Sequence, residues 1–209
     1  MVKPRASSSK LFAAVRPVRH RLARQAGADG VVFMTDRARV PDPCAVAARL
    51  PRGSWVIVRD YGWDQRAALA RSLRAITRER RQCLLVAGDP LLAHRVAADG
   101  LHLPRWALAD SRTRRAVRHF PLVTAACHDV HALTQAARLG VSAVLISPVF
   151  ATGSHPGAAT LGVHRFARLA HRSPVPVVAL GGIDARTAVR LAGLPVAAIA
   201  AIGALADGD

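Results

Sequence analysis

From Gly30 onward, short runs of apolar and β-branched residues alternate with Ala-, Leu- and Arg-rich stretches whose apolar positions recur every three or four residues. The first pattern predicts strands and the second amphipathic helices. Strands are expected at residues 31–35, 55–59, 83–87, 101–103, 122–126, 143–146, 177–180 and 197–202. Several of these are apolar throughout, as strands covered on both faces are. Between them, residues 64–80 place Leu69, Leu73 and Ile76 on one stripe with arginines elsewhere, and residues 130–139 and 186–191 carry the same period.

Eight strand-plus-helix units in succession predict a parallel sheet closed into a single (β/α)8 (TIM) barrel, compact beside the usual length of about 250 residues. The barrel domain is expected to span residues 30–209. Residues 1–29 form a basic N-terminal extension that carries no acid before Asp29, with a helix expected over residues 11–25. An organelle transit peptide would share that composition. The same Ala/Arg bias runs through the whole chain, however, so a helix lying over one end of the domain is the preferred expectation.

Composition narrows the function classes. The chain has 209 residues, 51% of them hydrophobic, and 30 Lys plus Arg against 13 Asp plus Glu give a formal charge of +17. Such a balance favours anionic partners. Nearly all the positive charge is arginine spread along the chain, only Lys3 and Lys10 being lysines, and aromatics are 4%. That pattern argues against a nucleic-acid binder, which clusters its cations and interleaves stacking rings. Cys44, Cys83 and Cys127 lie far apart, suggesting neither a zinc site nor a disulfide framework, and no apolar run reaches the roughly 18 residues of a membrane span. A cytoplasmic protein acting on small molecules is the expectation, with an oligomer left open.

In a barrel the chemistry sits on the loops that follow the strands. The longest of these, after the sixth strand, contains Thr152, Gly153 and Ser154, hydroxyls beside an unobstructed backbone amide. The seventh strand ends in Gly181-Gly182-Ile183-Asp184 and the eighth in Ala201-Ile202-Gly203-Ala204. Loops after strands seven and eight commonly hold phosphate on backbone N–H groups. Gly181, Gly182, Ile202 and Gly203, with Thr152, Gly153 and Ser154, therefore form a candidate phosphate cradle.

The order S-P-V-F-A-T-G-S-H (Ser147 to His155), P-V-V-A-L-G-G-I-D (Pro176 to Asp184) and A-I-G-A-L (Ala201 to Leu205) resembles the thiamine phosphate synthase and thiazole tautomerase superfamily. Met34-Thr35-Asp36, Val58-Arg59-Asp60 and the run from Ala98 to Leu103 extend the resemblance over roughly Gly30 to Leu205. It implies a (β/α)8 barrel. In the synthase, a pyrimidine diphosphate ionises with help from magnesium and the nitrogen of a thiazole phosphate captures the carbocation. The resemblance places the thiazole phosphate on Gly181, Gly182, Ile202 and Gly203, with Thr152 and Ser154 nearby.

For the diphosphate, the resemblance implies Arg59 as the cation after strand two, Asp89 as the magnesium carboxylate after strand three, and His155 where the family has a lysine. The family pattern Q-L-R-E-K reads Ile57-Val58-Arg59-Asp60-Tyr61 here. Its second carboxylate falls near Ala107, and a serine after strand five becomes Ala126. His128 matches the histidine with which thiazole tautomerases move a ring proton, work that suits an imidazole near neutral pH. The expected activity is a synthase-like transferase. Alternatives are a tautomerase acting through His128, and a non-catalytic protein that keeps only the phosphate cradle.

Overall fold

Eight short, mostly buried strands close into a barrel in the computed structural model. They are β1 Val32–Met34, β2 Trp55–Val58, β3 Cys83–Ala87, β4 Gly100–Leu103, β5 Leu122–Cys127, β6 Ala143–Ile146, β7 Val177–Leu180 and β8 Ala198–Ala201. Every neighbouring pair is parallel, and β8 returns to β1 through Val32↔Ala200. The structure describes residue 11, residues 31–153, residue 157 and residues 159–206. The expected helix at 11–25 and the 1–29 extension lie outside these residues apart from Leu11, which is buried in the core.

All eight expected strands are present, with ends shifted by a residue or so. Thr35 and Arg59, expected as the last residues of their strands, belong to the loops. Seven helices cover the barrel: α1 Pro43–Arg49, α2 Arg66–Glu79, α3 Pro90–Arg95, α4 Ser111–Ala116, α5 Val130–Arg138, α6 Gly162–Arg172 and α7 Ala185–Ala188 among the described residues. Helix α2 follows the expected stripe, burying Leu69, Ala70, Leu73 and Thr77 with Ile76 packed at the edge of the core. The expected helix at 186–191 is instead one turn of α-helix, α7, tightened into a 3-10 turn over Val189–Leu191 that buries Leu191.

Five helices start the same way. The side chains of Asp42, Asp89, Asp110, Asp129 and Asp184 each accept from a backbone N–H of the first turn. Those amides have no partner inside the helix, and a carboxylate there also meets the positive end of the helix dipole. In a chain with 13 acids, this use leaves few carboxylates for anything else.

Candidate functional site

A cavity of about 630 Å³ opens at the C-terminal ends of the strands. Met34, His102, Ala126, Leu145, Leu180 and Ala200 from the strands line it, and loops after seven of the eight strands complete it. Its position matches the active face of barrel enzymes, and its size suits small organic ligands.

The side built from β6, β7 and β8 is a backbone surface. The amides of Val149 and Phe150 donate to the carbonyls of Leu180 and Gly181, both at 3.0 Å, which lays the loop after β6 against the turn after β7. Gly181 and Gly182 sit at φ +103° and +62°, and a Cβ at Gly181 would fall 2.7 Å from Pro148 Cα. Only glycine serves at this pair. Asp184 and Thr187 close a capping box on α7, and Thr187 Oγ1 donates to the Gly182 carbonyl at 2.9 Å. The amides of Gly182, Ile183 and Gly203, all cavity-lining residues, make no hydrogen bond among the described residues. Thr152 and Gly153 line the same cavity, with the Arg39 guanidinium 3.6 to 3.8 Å from where a Gly153 Cβ would stand. Ser154 and His155 lie outside the described residues.

The side built from β1 and β2 carries charge. Arg59 reaches into the cavity and pairs with Asp36 at 2.5 Å, the two side chains 24% and 13% exposed. Thr35 Oγ1 accepts from the Arg59 amide at 2.9 Å and donates to the Asp60 carboxylate, which also accepts from the Arg37 amide at 2.8 Å. These bonds fix the main chain of both loops, so Arg59 leaves the barrel rim at a set position.

Asp89 stands elsewhere. Its carboxylate accepts from the Leu92 amide at 2.8 Å as the cap of α3, lies 3.8 Å from the Arg66 guanidinium, and does not line the cavity. Ala107, where the resemblance puts a second carboxylate, is buried. Among the described residues no three His, Cys, Asp or Glu side chains are grouped as metal ligands. Magnesium is held by oxygen ligands, usually one or two carboxylates with substrate phosphate and water. One carboxylate already shared between an amide and a guanidinium does not fit that ion.

Two histidines line the cavity, one exposed and one buried. His128 Nδ1 lies 2.6 Å from the Ser147 carbonyl oxygen, which can only accept, so Nδ1 carries the proton and Nε2 is left for chemistry. The side chain is exposed. His102 is buried, with Nδ1 2.9 Å from Thr124 Oγ1 on the neighbouring strand. Burial, and secondarily the positive charge of Arg59, pushes its imidazole down to about 3, so it is neutral at physiological pH.

Most of the expected site residues therefore converge: Arg59, His128, Thr152, Gly153, Gly181, Gly182, Ile202 and Gly203 line one cavity, and Asp89 does not. Sequence reading misses Arg39, Tyr61 and Trp106, which line it too. No periodicity marks a loop side chain as facing inward, although Tyr61 and Trp106 are two of only nine aromatic residues.

The family model for thiamine monophosphate synthase matches residues 31–205, the whole barrel. The chain belongs to this family. A thiamine-phosphate synthase of Chromobacterium violaceum is 34% identical over 167 residues, 78% of this chain and 80% of that protein. Another, of Thiobacillus denitrificans, is 33% identical over 152 residues, 71% and 72% of the two chains. The solved thiamine phosphate pyrophosphorylase from Pyrococcus furiosus superposes with a TM-score of 0.67 at 22% identity, covering 84% of this chain and 87% of that one. FabK from Thermotoga maritima reaches 0.65 at 17% identity over 90% of this chain and 62% of its own. Fold likeness of that order establishes the barrel, while family membership rests on the sequence match.

Proposed function

We propose that this family member is a transferase of the thiamine phosphate synthase type, joining a hydroxymethylpyrimidine diphosphate to a thiazole phosphate. The bond from the pyrimidine methylene carbon to the diphosphate oxygen breaks, its electron pair leaves with diphosphate, and the thiazole nitrogen bonds to that carbon. The observation that carries this reading is one cavity with two unlike sides, backbone amides on one and a guanidinium on the other. The amides of Gly182, Ile183 and Gly203, unpaired among the described residues, suit a terminal phosphate, and the guanidinium of Arg59 after β2 suits the leaving diphosphate. Charge developing on the leaving group must be met by groups already in place, and an anchored arginine meets it without reorganising. Incubating purified protein with both substrates, with and without magnesium, and separating thiamine phosphate by chromatography tests the proposal. Product formation supports it. No product from folded protein that binds thiazole phosphate overturns it.

The fixed tautomer of His128 favours a second reading, proton transfer on the thiazole ring. Nε2 is then the acceptor, and the reaction needs neither diphosphate nor metal. Deuterium from solvent would enter the thiazole in the wild type and not in His128→Asn.

A further inference from the structure

Among the described residues, five large hydrophobic side chains stand exposed, and the two aromatic ones, Trp106 at 66% and Tyr61 at 47%, both line the cavity. Each occupies ground where the resemblance expects charge: Tyr61 at the position of the family lysine, Trp106 beside the expected carboxylate. Neither ring hangs free. Trp106 rides on the 3-10 turn Arg105–Ala107, whose Ala107 is buried and whose Arg105 reaches Asp129 at 3.5 Å. The indole edge lies 3.2 Å from where a Cβ of Gly88 would stand, so the absence of that atom seats the ring. Tyr61 is backed by Arg66, whose guanidinium carbon lies 5.3 Å from the ring centroid and one of whose nitrogens donates to the carbonyls at the ends of β2 and β3. Large exposed rings held in place at a cavity mouth offer a π face at small cost in conformational entropy.

The geometry points to a stacking subsite for a planar heteroaromatic ring, formed by Trp106 together with Tyr61 at the mouth of the cavity. Its occupant is the pyrimidine of the first substrate, and this assignment rests on the proposed synthase reading. The topology separates the two rings of the reaction. Trp106 follows β4, opposite β8 and three strands from β7, and Tyr61 follows β2, with β1 between it and β8, whereas the amides suited to thiazole phosphate follow β7 and β8 themselves. Recognition through the π face needs no carboxylate at position 107 and no metal beside the ring. It selects flat heterocycles over saturated ones of equal size.

Fluorescence titration with hydroxymethylpyrimidine, the uncharged alcohol, reads this subsite directly. Trp55 is fully buried, and Trp63, which lies under the Arg37 guanidinium at 4.0 Å, is replaced by Phe to leave Trp106 as the responding indole. Saturable quenching is expected. In the same background, calorimetry should show Trp106→Ala weakening pyrimidine binding by about tenfold or more, the scale of one lost stacking contact. Trp106→Phe should retain affinity within about threefold of the parent. Thiazole phosphate affinity, unchanged in both variants, serves as the control for folding. Pyrimidine affinity that Trp106→Ala leaves intact, or an absence of binding to the parent, overturns the subsite. Trp106-dependent pyrimidine binding without any coupling would leave the subsite standing and remove the synthase reading instead.

Discussion

A Cβ added at Gly182 would run into the carbonyl oxygen of Ala151 and stand 2.8 Å from Phe150 Cβ. The turn after β7 and the loop after β6 thus share one close backbone contact, which shapes the amides proposed to hold phosphate. Gly182→Ala must push these two loops apart and hold alanine in the left-handed region at φ +62°. The backbone strain alone costs about 1–3 kcal/mol, and the displaced amides should lose thiazole phosphate binding by calorimetry. A variant that melts like the wild type and binds with wild-type affinity would separate the glycines from the ligand site.

Arg59 is expected to divide the two anions. Arg59→Leu removes the guanidinium paired with Asp36 and leaves the β7 and β8 loops untouched. A charge-assisted hydrogen bond is worth about 1.5–3 kcal/mol, so inorganic diphosphate should bind at least about tenfold more weakly. Thiazole phosphate affinity should stay within a factor of about two, since charges across an open, solvated cavity are strongly screened. Two calorimetric titrations on the same preparation check both halves.

Acid should weaken the barrel through His102. Its imidazole is held down to about 3 in the folded protein against 6.5 for the free side chain, because it is buried and faces Arg59. Between those two values the unfolded chain binds the proton and the folded one does not. The contribution is complete above pH 6.5 and is lost as pH falls towards 3, with a slope approaching about 1.4 kcal/mol per pH unit for this one group. Denaturant melts from pH 6.5 down to roughly pH 5, above most carboxylate titrations, should show the slope in the wild type and a shallower one in His102→Gln.

The strands were legible because a parallel barrel buries each of them on both faces, so runs such as Val56, Ile57 and Val58 or Leu84, Leu85 and Val86 need no alternation to be recognised. The glycine pair was legible because its φ values admit little else. Asp89 shows where reading by family position falls short. It precedes Pro90, as Asp42 precedes Pro43, and both prolines take the first helical position behind a capping aspartate. Proline is pre-organised for that position, so Asp-Pro ahead of a helical stretch was itself the signal of a cap. Tyr61 and Trp106 carried no comparable signal, because which way a loop side chain faces depends on contacts such as Gly88 against the indole, distant in sequence.

Arg66 ties β2, on the cavity's charged side, to β3, and its removal should cost more than a surface arginine's. One guanidinium nitrogen donates to the carbonyls of both Val58 and Ala87, the last residues of β2 and β3, and the side chain is 12% exposed. Burial lowers its pKa, with Asp89, Tyr61 and Asp60 acting in the opposite sense. Arg66→Ala leaves two carbonyls short of a donor at about 1–3 kcal/mol each. A net loss of about 2–4 kcal/mol is expected, a fall in Tm of roughly 5–15 °C for a chain of this size. Arg66→Lys should recover only part of it, because a point ammonium lacks the planar fork that keeps one arm on the carbonyls while another faces Asp89. Tyr61 gives an independent readout: without the guanidinium behind its ring, the phenol should become more accessible to iodination while the barrel remains folded. Thermal melts and iodination rates unchanged in Arg66→Ala would show that β2 and β3 hold their ends without this bridge.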